Sequence, residues 1–204
     1  HSMVNGTSEF VNQLAIAITT VIFNRSALLF AGEDGVAAVS IIMYLQFLCI
    51  GIYFGFSMGL STPLGYAYGD RNFSVCRVLE KYAYRFFAIA PIILYGCTYL
   101  LTPIGVRFFA SPGSTVFDMA VSGLRLYGLG FLFSGINIFA AIRMMTYGKG
   151  YISGMITFLR SFALLLLFLT VLPRFLELNG IWLAVPAAEI LTLIVALWTL
   201  RKKL

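Results

Sequence analysis

Six apolar runs, each of roughly 20 residues or more, follow one another along this chain with only short polar breaks between them. They lie near residues 10–31, 36–62, 77–103, 117–142, 151–173 and 180–200. A helix of about 20 residues crosses a hydrocarbon layer about 30 Å thick, and a span in lipid must pair its own backbone groups. The pattern therefore predicts an all-α, polytopic membrane protein built as a bundle of six transmembrane helices. Composition agrees: 60% of the 204 residues are hydrophobic and only 11% are charged. A soluble domain carries about 25% charged residues to cover its surface, so lipid must cover this one. The breaks carry turn chemistry at Gly32–Gly35, Gly69–Asn72, Ser111–Ser114, Tyr147–Gly150 and Leu178–Gly180. None is long enough for a domain linker, which leaves a short segment 1–9, opening with a His1-Ser-Met cloning remnant, and one six-helix lobe over 10–204.

The net charge of +6 is not a nucleic-acid signature, because basic residues in a membrane chain set topology. Arg71, Arg77, Lys81, Arg85, Arg143, Lys149, Arg201, Lys202 and Lys203 fall on one side. Arg25, Arg107 and Arg174 fall on the other, mixed with Glu33, Asp34, Asp118 and Glu177. The basic side is expected in the cytoplasm of a prokaryotic inner membrane, with both termini there. Cys49, Cys76 and Cys97 have no metal-ligand spacing, and His1 is the one histidine. No metal site, no cofactor and no enzyme activity are expected, since no nucleophile stands at helical spacing from a base.

Polar groups at membrane depth carry the functional reading. Glu9, Gln13, Thr20 and Asn24 share one face of the first span, flanked by Asn12 and Thr19. Such a face must meet protein or water: as interhelical bonds worth about 0.6 kcal/mol each, or as a transport cavity wall. Ser134 and Asn137 extend it on the fourth span. Glu80 reads as interfacial beside Lys81, whereas Glu189 lies well inside the last span. Arg125 and Arg160 are deeper than snorkelling explains, and either is a candidate partner for Glu189. Tyr53 and Met58, with Tyr44, Phe54 and Phe131, offer an adaptable apolar lining. Gly51, Gly55 and Gly59 form a stripe of small residues, which in lipid lets two helix backbones touch.

The stripe belongs to the stretch GIYFGFSMGLSTPLGYAYGDRN at 51–72, which resembles the end of the eighth helix of MATE multidrug transporters. Residues 23–42 resemble the end of the family's seventh helix and the start of its eighth. Residues 124–150 are similar to its tenth helix and following loop, and 179–198 to its twelfth. The resemblance implies the second lobe of a twelve-helix antiporter that exports amphipathic or cationic compounds in exchange for H⁺ or Na⁺. Its implied partners are the bilayer, small amphipathic substrates, and an N-terminal six-helix lobe or second six-helix chain. Ala17 and Gly135 stand where the NorM-like branch carries cation-binding acids, so the resemblance is closer to the DinF-like branch. The coupling ion is then bound mainly by the other lobe. A lobe of a lipid-linked oligosaccharide flippase, or an inactive structural fragment, is the alternative.

Overall fold

The computed structural model describes the backbone of residues 2–201 and the side chains of residues 17–200. Its first helix, α1 (Ser2–Gly69), is far too long to cross a bilayer once, and it breaks at Gly32. Gly32 has φ 63° and ψ −152°, a conformation that a residue without Cβ adopts without strain. The chain doubles back there. A Cβ on Gly35 would lie 2.7 Å from the Ala27 carbonyl oxygen, although eight residues of straight helix would separate the two by about 12 Å. α1 is thus a hairpin with legs 2–31 and 33–69, and the turn expected to need four residues is made by one.

α2 (Phe73–Arg107) starts at Asn72, whose side chain accepts from the Val75 amide at 3.3 Å. α3 (Thr115–Tyr127), a 3₁₀ turn (Gly128–Gly130) and α4 (Phe131–Thr146) join into one span. α5 (Gly150–Phe158), a π turn (Leu159–Ala163) and α6 (Leu164–Val171) join into the next. α7 (Pro173–Arg201) is broken at Glu177, with φ 49° and ψ −130°. The expected turn at Leu178–Gly180 therefore falls earlier: Gly180 is already helical and packs against Leu172, whose carbonyl oxygen a Cβ would meet at 2.5 Å. Counting the α1 hairpin as two, the described residues form the six crossings that the sequence predicts.

The α3–α4 span is the axis of the bundle. Within its apolar window 67% of residues are buried by the rest of the chain, against 17% for α2. Tyr53, Phe87, Phe131, Phe139 and Trp182 fill the space around it, and the Tyr53 hydroxyl donates to the Phe131 carbonyl at 3.0 Å. The two ends of the bundle differ in charge. Near the turns at 69–72 and 147–149 lie Asp70, Arg71, Arg77, Glu80, Lys81, Arg143 and Lys149, while those at 32, 108–114 and 172–177 lie beside Glu33, Asp34, Asp118 and Glu177 with Arg107 and Arg174.

At the basic end the end of α1, the start of α2 and the end of α4 are tied together. Arg143 Nε donates to Glu80 Oε1, and the Tyr147 hydroxyl donates to the same oxygen at 2.6 Å. The Arg143 guanidinium also lies 5.1 Å over the Tyr147 ring, and Tyr147 stacks 4.4 Å from Tyr68 of α1. Burial, and then the neighbouring Glu80 carboxylate, push the Tyr147 hydroxyl above its ordinary value, which keeps it a donor. Glu80 is therefore buried within the chain at this end of the bundle. It is 7% exposed, and its neighbour Lys81, about 100° further round the helix, takes the exposed position.

Two measurements follow from these placements. Replacing Glu80 by Ala strands Arg143 in a buried site and is expected to cost about 3–5 kcal/mol in detergent unfolding. The double variant Glu80→Leu/Arg143→Met, which leaves no orphaned charge, should recover most of that loss; a single variant as stable as the double refutes the clamp. Cys76 is fully buried, so reagent access to it reports burial rather than sidedness. In a cysteine-free background, an impermeant thiol reagent on intact cells should modify Glu33→Cys and miss Lys149→Cys. The reverse pattern inverts the topology.

Candidate functional site

A cavity of about 200 Å³ opens at the junction of both α1 legs, α3, the π turn and α7. Thr20, Gln46, Tyr127, Arg160, Ser161 and Glu189 supply its polar wall. The π turn shapes it, being a local insertion of the kind that recurs at functional sites. It sets Arg160 toward α7 and presents the Ser161 carbonyl to the Thr19 hydroxyl at 3.4 Å. Across the cavity the Tyr127 hydroxyl donates to Gln46 Oε1.

The charged pair lies at its wall. Arg160 donates to Glu189 Oε1 twice, through Nη2 at 2.7 Å and Nε at 3.0 Å. Asn137 Nδ2 donates to the other carboxylate oxygen at 2.6 Å and to the Glu189 backbone carbonyl at 2.9 Å. The Glu189 side chain is 4% exposed, while that of Arg160 is 14% exposed. Of the two candidate partners, Arg160 takes Glu189. Arg125 does not: its guanidinium lies 4.6 Å over the Tyr99 ring, and its Nε is buried without a hydrogen bond.

The other expected site residues are dispersed. Thr20 lines this cavity, whereas Asn24 borders a separate opening between the two α1 legs, with Arg25, Glu33 and Ser40. Gln13 lies outside the residues whose side chains are described. Tyr53 does not form a wall; it is fully buried, with its hydroxyl spent on Phe131. Ser134 is buried and donates to the Gly130 carbonyl at 2.8 Å, which satisfies the 3₁₀ turn rather than a cavity. Met58 sits on the outer face of the second leg. Gly51, Gly55 and Gly59 lie on that face too, and a Cβ on any of them would meet nothing within 4 Å. The stripe thus packs against no helix of this chain among the described residues.

Three polar residues of this site, Gln46, Tyr127 and Ser161, are not among the candidates from the sequence. Gln46 interrupts the run IIMYLQFLCI and was visible as an uncharged polar group at membrane depth. Tyr127 carried no signal among so many aromatics. At Gly135 a Cβ would lie 2.8 Å from the Phe87 ring, so no acidic side chain fits there without displacing the core. Ala17 is exposed.

The whole fold recurs in known transporters. An inward-facing multidrug resistance MATE family transporter of the MOP superfamily matches with a TM-score of 0.85 at 22% identity, over 95% of this chain and 45% of that one. An outward-facing multidrug resistance MATE family transporter of the MOP superfamily matches with a TM-score of 0.83 at 23% identity, over 95% and 44%. A variant of a Vibrio cholerae MATE transporter matches with a TM-score of 0.84 at 19% identity, over 95% and 44%. This chain spans less than half the length of each. No curated protein matches it. The family model described as MatE matches residues 10–172, most of the length of this membrane-spanning chain, which therefore belongs to the MatE family of transporters.

Proposed function

We propose that this chain is the C-terminal six-helix lobe of a secondary active antiporter that exports amphipathic or cationic compounds in exchange for H⁺ or Na⁺. The observation that carries the reading is one of coverage. Almost the entire chain superposes on less than half of an outward-facing and of an inward-facing multidrug resistance transporter alike. A lobe that fits both conformations supports transport by rocking of one rigid half against another.

The outer face of the second α1 leg supports the same reading. Tyr44, Phe54, Met58 and the three stripe glycines are exposed there together, on one face of one helix. We assign that face to the other lobe and to substrate, with Asn24 and Thr20 at the margins. The absence of room for an acid at Gly135 favours coupling through carboxylates on the other lobe, as in the DinF-like branch. The flippase reading needs several inward-facing basic groups for a pyrophosphate, and of the two deep arginines Arg160 is spent on Glu189. The basic end then faces the cytoplasm of a prokaryotic inner membrane.

Liposomes holding this chain alone are expected to show no substrate flux under a pH or Na⁺ gradient, and co-assembly with a matching N-terminal lobe should produce it. Gly55→Leu separates the interface from the fold. Alone, the variant should unfold within about 0.5 kcal/mol of the parent, as for a surface change; assembled, it should lose transport. Gradient-driven flux by the lone chain overturns the half-transporter reading, and loss of stability in lone Gly55→Leu overturns the interface.

A further inference from the structure

The cavity beside the Arg160–Glu189 pair holds donors that the protein itself does not use. Arg160 has five N–H groups, and its described bonds use Nε and Nη2 on a single carboxylate oxygen, which leaves Nη1 unspent. Gln46 gives its oxygen to Tyr127, which leaves both N–H groups of its amide nitrogen without a partner among the described residues. Neither nitrogen is among the fully buried side-chain atoms that lack a hydrogen bond, so each keeps accessible surface. Both side chains line the same space.

The acceptors beside them are taken. Glu189 Oε1 receives Arg160 twice, its Oε2 receives Asn137, and the side chain is 4% exposed. The Gln46 oxygen receives Tyr127, and the Ser161 carbonyl receives Thr19. A molecule that fits this wall therefore brings an acceptor of its own.

Charge and size narrow it further. Arg160 and Glu189 are the two charged side chains of the wall, and they cancel. A cation would add a charge at membrane depth and find the carboxylate already filled. An anion would add one and find the guanidinium already neutralised. Either is costly, whereas an uncharged molecule imports no charge. Much of the remaining wall is apolar, from Phe23, Met43, Ile50, Leu165 and Val185. An apolar cavity of about 150 Å³ accommodates benzene, so one of about 200 Å³ accommodates such a ring with one short polar substituent.

We propose that this cavity binds a small uncharged molecule, an apolar body of about the size of one ring that carries a carbonyl-type acceptor, with the acceptor on Arg160 and Gln46. The site is internal to this lobe and stands whether or not the lobe is part of an antiporter.

The test is equilibrium binding of radiolabelled acetophenone to the purified chain in detergent, with partition into protein-free micelles subtracted. Saturable binding is expected. Three unlabelled competitors of the same heavy-atom count read the selectivity. Isopropenylbenzene has a methylene in place of the carbonyl oxygen, benzoate is an anion and benzamidinium a cation. Each should compete at least about tenfold more weakly than unlabelled acetophenone. Leu165→Trp fills the cavity and should abolish saturable binding. Gln46→Met removes one donor and leaves the ion pair intact, so the preference for acetophenone over isopropenylbenzene should fall at least about threefold. That preference locates the site if Leu165→Trp fails to fold. No saturable acetophenone binding by the parent overturns the proposal, as does any of the three competitors matching acetophenone. A folded Leu165→Trp variant that binds as the parent does, or a Gln46→Met variant with the parent's preference, overturns it too.

Discussion

Lipid offers no hydrogen bonds, and every polar group in this chain is placed by that fact. The backbone answers it by being helical, and the side chains answer it in two ways. Serine and threonine turn back on their own helix: Ser40, Thr102, Ser134, Thr146, Ser161 and Thr192 each donate to the carbonyl four residues earlier. Asn137, Gln46, Glu80, Arg143, Arg160 and Glu189 find partners on other helices. They tie the bundle together at points that apolar packing alone does not specify, because lipid tails attract a leucine as well as a neighbouring helix does.

This division explains what was legible in the sequence. The six crossings were, since the length of an apolar run is a direct consequence of bilayer thickness. The exact turns were not: Gly32 and Glu177 reverse the chain with single residues in unusual backbone conformations, and nothing in Leu178-Asn-Gly180 announces that it is already helical. Among polar residues, Asn137 and Glu189 were informative and Ser134 was not. Ser134 bonds the carbonyl four residues earlier on its own helix, so its presence at membrane depth carries no information about a cavity. The partner of Glu189 was undecidable from spacing, because Arg125 and Arg160 lie at comparable depth and only the π turn brings one of them across. The glycine stripe reads as a contact surface, yet its face meets nothing among the described residues; sequence identifies a smooth face without saying what lies on it.

The two buried ion pairs show how burial alone fails to define a function. Glu80–Arg143 is braced by a third side chain: Tyr147 donates to the carboxylate oxygen that Arg143 also bonds, and its ring lies under the guanidinium. The three side chains tie α2 to the end of α4, so the chemistry of this pair is that of a clamp. Arg160–Glu189 is built from the same two charges but borders a cavity, and its arginine keeps 14% of its side-chain surface. There a small molecule can enter beside the charges with no helix displaced. A pair braced by a third side chain rigidifies, and a pair with a cavity beside it leaves room for a ligand. The distinction rests on the space next to the charges, and in this chain the π turn at Leu159–Ala163 helps to shape that space.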